Sequence, residues 1–339
     1  MPVELARAKD QTPAQIVLHV HLGKVATPKA RDLDRVRQNI DVFDSELDPD
    51  ETERIGALEG GDSGPTPRRM LRRLTFCSER IREVTMSERT VLPVMIVTGA
   101  TSGIGRAAAG MLAGHGWYVV ASGLEDELGE AVTAELRAAG SGEFIPSNLT
   151  LAGAPERLIA TVVERHGRLD GLVNDAGIYR LGDTVETSIE EWDAVVGLNL
   201  RAAFLMCRAA IPHMVATGGG VIVNVASEAG ISAFPHQVAY NVSKAGMLML
   251  TRSIAVDHAA QKVRAVSVCP GTTMTPMVAE AIRSAPNPQE LERRFASVRP
   301  ANRLGTMEEI ATAIVFAASP SVQYMTGNEI VIDGGFTAS

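Results

Sequence analysis

Three side chains in and beyond the stretch Val221–Val225 could move a proton together: the Ser227 hydroxyl, the Tyr240 phenol and the Lys244 ammonium. Tyr240 and Lys244 are spaced i,i+4, so on a helix they share a face. An ammonium beside a phenol favours the phenolate and lowers its pKa from a reference of about 10. A drop of about 3 units takes about 4 kcal/mol of preferential stabilisation of the charged form. The product would be an acid/base group working near neutral pH. Each residue also has a plainer reading: a packed tyrosine, a surface lysine, and a serine bonded to its own strand end. Their surroundings choose between the two.

Val221–Val225 is apolar and β-branched, as a buried parallel strand would be. Ser227 falls just past its carboxyl end, where open α/β sheets bind ligands. Far upstream, the short strand Val94–Val97 runs into TGATSGIG at Thr98–Gly105 and then an alanine-rich segment. Gly99, Gly103 and Gly105 permit a tight turn and close approach of backbone to phosphate. A helix beginning near Gly103 would offer free N–H groups to a pyrophosphate. Glycines alone mark ordinary turns, but strand, glycine turn and helix in this order fit a nucleotide loop.

The period then repeats. Strands are predicted at Trp117–Ala121, Glu143–Pro146, Gly171–Asn174, Val221–Val225 and Val263–Val268. Helices are predicted over 125–139, 154–166, Ser188 to about Val215 with Ser188 as cap, and 240–260. This alternation implies an α/β, Rossmann-like, doubly wound parallel sheet with helices on both faces.

The chain has 339 residues, 45% of them hydrophobic, and a net charge of −8, which gives no reason to expect nucleic acid or an anionic membrane. No apolar run of about 18 residues is apparent, so no membrane span is expected. Cys77, Cys207 and Cys269 are scattered without metal-ligand spacing or a disulfide framework. No metal site is expected, and a reducing cytoplasm is the expected home.

The first 93 residues have a different character. Residues 12–23, about 32–39 and those after 48 read as helices, broken by Gly and Pro at 60–67. Six arginines between Arg68 and Arg82 then suggest a solvated helix or linker more than an anion-binding surface. Residues 3–67 resemble the carboxyl-terminal end of aldo-keto reductases through TPAQIVLHVHLG, Pro28–Ala30, Arg35–Asn39 and DVFDSELDPDE. That resemblance would place Lys29, Arg35 and Asn39 on an adenosine phosphate, with Ala30 and Gln38 departing from the pattern. A (β/α)₈ barrel needs about 250 residues to close, so these residues would be a barrel-derived, mostly helical fragment without activity. The expected division is 1–67, a basic linker and lead-in at 68–93, and a dinucleotide domain at 94–339. Residues 1–85 are expected to be a fusion or misplaced-start remnant.

Residues 86–339 resemble the short-chain dehydrogenase/reductases with a TGxxxGxG loop and a YxxxK site. TGATSGIG at 98–105, NDAG at 174–177, Asn199, Ser227, YNVSK at 240–244 and PGTTMTP at 270–276 carry the likeness. The resemblance implies Tyr240 as general acid/base, Lys244 lowering its pKa and holding the nicotinamide ribose, Ser227 orienting the carbonyl, and Asn199 holding a water. It implies a cofactor held by Gly99, Thr101, Ser102, Gly103, Ile104, Gly105, Asn148, Leu149, Asn174, Ala176, Gly177, Pro270, Gly271, Thr273 and Thr275, besides Tyr240 and Lys244. Two positions depart from the family pattern: Asp175 replaces a usual asparagine, and Asn148 an aspartate that bonds adenine. An amide still offers adenine an acceptor oxygen.

The resemblance further implies NAD or NADP as cofactor, a small-molecule alcohol or carbonyl substrate, and a homodimer or homotetramer. An acidic residue at Gly123 would mark NAD, and an arginine at Leu124 or Ser102 would mark NADP; neither is present. Glu125 and Asp126 would repel a 2′-phosphate, which favours NAD. Met274–Pro300 reads as a substrate lid, with Phe234, His236, Met274 and Met277 as pocket candidates. The expected reaction interconverts a secondary alcohol and a ketone. Alternatives are 3-oxoacyl-[acyl-carrier-protein] reduction with NADPH, or a dinucleotide-binding regulator without turnover.

Overall fold

Val94–Thr98 (β1) is buried along its whole length, as a strand covered on both faces must be. The computed structural model describes residues 92–339 apart from Glu125, and Leu92–Ser339 forms a unit of its own. The aldo-keto reductase likeness of 3–67, the expected helices there and the arginine-rich segment lie outside the described residues.

After β1 come α1 (Gly103–Gly114), β2 (Tyr118–Gly123), α2 (Gly129–Ala139), β3 (Ser141–Pro146), α3 (Ala154–His166) and β4 (Gly171–Asn174). Next are α4 (Ile189–Val196), a π-helical turn (Gly197–Ala202), α5 (Ala203–Ala216), β5 (Gly220–Val225), α6 (Val238–His258) and β6 (Val263–Pro270). The chain ends with α7 (Pro276–Arg283), α8 (Pro288–Ser297), α9 (Met307–Ala318) and β7 (Glu329–Ile332). All strand pairs are parallel, in the order β3-β2-β1-β4-β5-β6-β7. The chain works outward from β1 to β3, then returns to place β4 on the other side of β1. That reversal opens a crevice at the carboxyl ends of β1 and β4.

Side chains alternate across the sheet, so β1 serves two cores. Met95 and Val97 join Leu112, Ile310 and Ile314 on one face, while Val94 and Ile96 join Ile159, Met206 and Met214 on the other. Helices therefore cover both faces, as the alternating pattern implied.

Several boundaries differ from expectation. The α2 helix begins at Gly129, after a 3₁₀ turn at Asp126–Leu128. The seventh strand, β7, was not among the six expected; four residues beside Gly and Asn carry little local signal, and pairing with β6 makes the strand. The predicted helix from Ser188 is present, with Ser188 Oγ accepting from the Glu191 N–H at 3.1 Å. Its middle departs from α geometry, and Asn199 lies in that π turn. Contrary to the expected absence of any such run, Ile189–Ala216 is long and apolar enough to cross a membrane by length and composition. Val195, Ala202, Met206, Ala210 and Met214 are buried, with Met206 and Met214 in the second core, as in a core helix of an α/β layer.

Candidate active site

The crevice is walled at one end by the glycine loop. Gly99 and Gly103 have φ of +68° and +58°, where a side chain would be strained. A Cβ on Gly105 would stand 2.5 Å from the Gly99 carbonyl oxygen and 2.7 Å from Asp175 Oδ2. The loop can close this tightly only with glycine there. Ser102 precedes α1 and makes no side-chain cap, so its hydroxyl does not take up the first-turn N–H groups that could meet an anion. Thr98 Oγ1 accepts from the Asp175 and Ala176 N–H groups at 3.1 and 3.2 Å, tying the β1 turn to the β4 turn.

A cavity of about 590 Å³ runs from this loop to the residues following β5 and β6. Ser227, Tyr240 and Lys244 line it together, although Ser227 comes from the β5 turn and the other two from α6. Also in its lining are Gly99, Thr101, Ser102, Gly103, Ile104, Asn148, Leu149, Ala176, Gly177, Pro270, Gly271, Thr273 and Thr275. A dinucleotide fits this shape: the glycine cradle and α1 end suit phosphate, and the far turns suit the reacting ring.

Three expected residues stand behind the wall. Asn174 is buried and donates to Asn224 Oδ1 at 2.9 Å; Asn224 in turn donates to Thr251 Oγ1 at 2.8 Å. This buried amide pair locks β4 to β5 and does not reach the cavity. Gly105 supports the loop by its lack of a side chain. Asn199 accepts from the Ile178 N–H at 2.8 Å and donates to Ile178 O at 2.9 Å and Ser243 Oγ at 3.2 Å. Its side-chain amide thus clamps the chain after Gly177 to α6. Asn148 Oδ1, expected to face adenine, accepts from Thr150 N at 3.1 Å and Thr150 Oγ1 at 2.7 Å.

Lys244 Nζ donates to Val225 O at 2.7 Å and lies 5.6 Å from the Tyr240 ring centroid. Tyr240 packs edge-on against Tyr179 at 5.3 Å. Burial pushes the phenol up to about 12; the Ser227 hydroxyl pulls it down, while Asp175, Tyr179 and Glu228 push it further up. The expected lowering by Lys244 is therefore not what the protein alone produces. Burial also brings Lys244 down to about 8, opposed by the charge of Asp175. Desolvation makes each of the two groups resist charging, and the spacing in sequence carried no information about it.

Asp175, singled out as a departure from the family pattern, lines the cavity. Burial raises its carboxyl from 3.8 to about 6, against the pull of Lys244 and the Gly105 N–H. Sequence reasoning missed Tyr179, Glu228, Phe295 and Arg299 as lining residues. Glu228 adjoins Ser227 and could have been suspected from that; the other three reach the cavity only through folding.

On the substrate side, Phe234 and Met277 line the cavity as expected, whereas His236 and Met274 do not. His236 sits in a left-handed backbone conformation, φ 55°, and its exposed ring turns to Glu186 at 3.5 Å. At Gly123 a Cβ would come 2.5 Å from Thr101 Cγ2, so an acidic side chain could not sit there without displacing Thr101. Glu125 and the Asp126 side chain, which carried the preference for NAD, lie outside the described residues. Although no metal group was expected, Asp183, Glu186 and His236 bring ligand atoms within 4.8 Å of one another. Asp183 Oδ1 already accepts from the Val185 and Glu186 N–H groups, so it closes a local turn.

A family model described as enoyl-(acyl carrier protein) reductase matches residues 99–337. An uncharacterized oxidoreductase of Thermotoga maritima is 44% identical over 245 residues, spanning 72% of this chain and 97% of that protein. The 2-(R)-hydroxypropyl-CoM dehydrogenase of Xanthobacter autotrophicus is 38% identical, spanning 72% and 98%. Among solved structures, a short-chain dehydrogenase/reductase from Burkholderia xenovorans superposes with a TM-score of 0.71 at 38% identity, covering 73% of this chain and 97% of that one. These likenesses lend no support to the aldo-keto reductase resemblance of residues 3–67.

Proposed function

This chain belongs to the short-chain dehydrogenase/reductase family, and from that premise we propose that it interconverts a secondary alcohol and a ketone, with Tyr240 as general acid/base. The observation carrying this reading is the convergence of Ser227, Tyr240 and Lys244 on one cavity whose other end is the glycine loop. A bound nicotinamide cofactor supplies the hydride chemistry. Gly99–Gly105 and the α1 end would hold its phosphates, the Pro270–Thr275 turn its carboxamide, and Lys244 its ribose hydroxyls. In the reducing direction Tyr240 gives its phenolic proton to the developing alkoxide, and in the oxidising direction it takes that proton back. Held up to about 12, the phenol keeps its proton at neutral pH and can pass it only to a stronger base such as an alkoxide, as a weaker acid than an ordinary tyrosine. Ser227, within hydrogen-bonding reach of Tyr240, orients the substrate oxygen toward the same proton.

Tyr240→Phe tests the assignment. It should abolish turnover with secondary alcohols while binding NAD(H) or NADP(H) as the parent does; undiminished turnover would overturn the mechanism. NAD is the favoured cofactor, and comparing dissociation constants for the two decides it. A 3-oxoacyl thioester on an acidic carrier suits this acidic segment less well. A regulator without turnover would have no need of the Ser227–Tyr240–Lys244 set. The half-exposed Phe204 and exposed Met249 favour a homodimer or homotetramer, whereas Met206 and Met247, grouped with them in sequence, belong to the internal core. We propose a cytoplasmic location, a reducing compartment that suits the free Cys207 and Cys269.

A further inference from the structure

Immediately after Ser227, Glu228 turns inward and is 4% exposed. Its carboxylate pairs with the guanidinium of Arg299, also 4% exposed. Taking two charges out of water costs several kcal/mol per ion, and mutual attraction offsets it only with good geometry and further hydrogen bonds. Such a pair says little for stability by itself, and its value lies in holding one arrangement against others.

What it holds can be traced. Arg299 lies at the foot of the segment containing α7 and α8, which reaches the cavity through Met277, Val278 and Phe295. Its Nη1 donates to Phe295 O at 2.5 Å, closing the end of α8. Nη2, besides meeting Glu228, donates to Thr272 Oγ1 at 2.6 Å in the turn after β6. The guanidinium lies 5.6 Å from the Phe336 ring centroid, and Phe336 stacks on Phe234 at 4.9 Å. On the other side, the turn containing Glu228 sets the Ser227 hydroxyl, which accepts from the Ala229 N–H at 3.1 Å. Gly271 packs so close that a Cβ there would stand 3.1 Å from Glu228 Oε2. One buried pair thus joins the foot of the lid, the cofactor turn and the serine turn.

We propose that Glu228 and Arg299 are positioning residues, a latch that holds the α7–α8 segment closed over an alcohol with an apolar body by anchoring its foot on the turn after Ser227. The latch rests on the reading of Ser227, Tyr240 and Lys244 as the proton-transfer site. Neither latch residue takes part in the chemistry. Losing the pair frees the lid from its foot while leaving the glycine loop intact. The penalty therefore falls on retention of the alcohol more than on the cofactor.

The test compares Glu228→Gln, the double variant Glu228→Gln/Arg299→Met, and Thr272→Val, which removes one acceptor and no charge. Three measurements are made on the full chain: KM and kcat for a turned-over secondary alcohol, NADH or NADPH affinity by fluorescence, and trypsin cleavage after Arg283, Arg293 and Arg294. Cleavage within the lid reports its open population without relying on catalysis. Glu228→Gln and the double variant should raise KM about tenfold with kcat and cofactor affinity within about threefold, the pattern of lost uniform substrate binding. Lid cleavage should quicken about fivefold or more, as the open population grows. Thr272→Val should raise KM and lid cleavage in the same direction by less, and the cofactor affinity measured alongside separates this from any effect on the turn that meets the cofactor. This variant also decides the matter if the Glu228 variants do not fold. Unchanged KM and unchanged lid cleavage in a folded variant would overturn the latch. So would KM, kcat and cofactor affinity all worsening together in step with lost thermal stability. Tyr240→Phe separates the two ideas: if it stays active the proton-transfer reading fails, whereas the trypsin result still judges the latch.

Discussion

Asp175→Asn replaces a carboxyl group inside the cavity wall with its uncharged isostere, and the structure gives both sign and size of the effect. An aspartate ordinarily ionises near 3.8, and this one does so at about 6, because burial outweighs the pull of Lys244 and the Gly105 N–H. Between those two pH values the folded protein keeps a proton that the unfolded chain has released. Its stabilising contribution is complete below 3.8 and declines as pH rises through 6. The full loss is up to about 3 kcal/mol, at 1.36 kcal/mol per unit. Asparagine, with no proton to lose, escapes that cost. Thermal melts of parent and variant from pH 4 to 8.5, followed by circular dichroism, read the difference directly. The variant should match the parent near pH 4 and exceed it above pH 7, by up to roughly 6–12 °C for a domain of this size. Part of the gain is returned, because Lys244 loses the neighbour that supports its charge. A gap independent of pH, or a variant less stable than the parent at pH 8, would refute the reasoning. The ionised carboxylate would then be well accommodated between Gly105 and Lys244.

Other consequences are simpler. Gly105→Ala drives a methyl group toward the Asp175 carboxylate and into the Gly99 carbonyl, a backbone group that cannot step aside cheaply. It should cost about 1–3 kcal/mol of stability by overpacking. Cofactor affinity should fall more than tenfold because the phosphate loop must open, and a fluorescence titration matching the parent would contradict this. Expression from Met86 should yield a folded, active enzyme. Leu92–Ser339 forms its own unit, and the relatives are matched over nearly their whole length by about three quarters of this chain. Loss of the cooperative melt or of turnover in the shortened protein would show that residues 1–85 contribute.

Much of the scaffold was legible because its signals are local. The buried run Val221–Val225, the glycine turn after Val97 and the i,i+4 spacing of Tyr240 and Lys244 each depend on neighbours a few residues away. Edge strand β7 was not legible, since four residues of ordinary composition become a strand only against β6. Apolar stretches were ambiguous for a similar reason: Met206 and Met214 look the same in a membrane span, an interface or a core, and only packing against Ile222 and Leu172 decides. Asn174 and Asn199 were recognisable as significant positions, yet their partners, Asn224 and the Ile178 backbone, were not.

The proton-transfer set shows the same division at closer range. Residue type and spacing by themselves set Tyr240 and Lys244 on one helix face, Ser227 past the carboxyl end of a strand, and a glycine turn after β1. That they form one site was what the family resemblance implied. Only the tertiary structure decided the charge states of these groups. Burial raises Tyr240 and Asp175 and lowers Lys244, and desolvation depends on what the whole fold packs around a group rather than on its neighbours in the chain. It likewise decided that Arg299 would come from the foot of the lid to meet Glu228 beside Ser227. Their separation of 71 positions along the chain hides the contact from any local pattern.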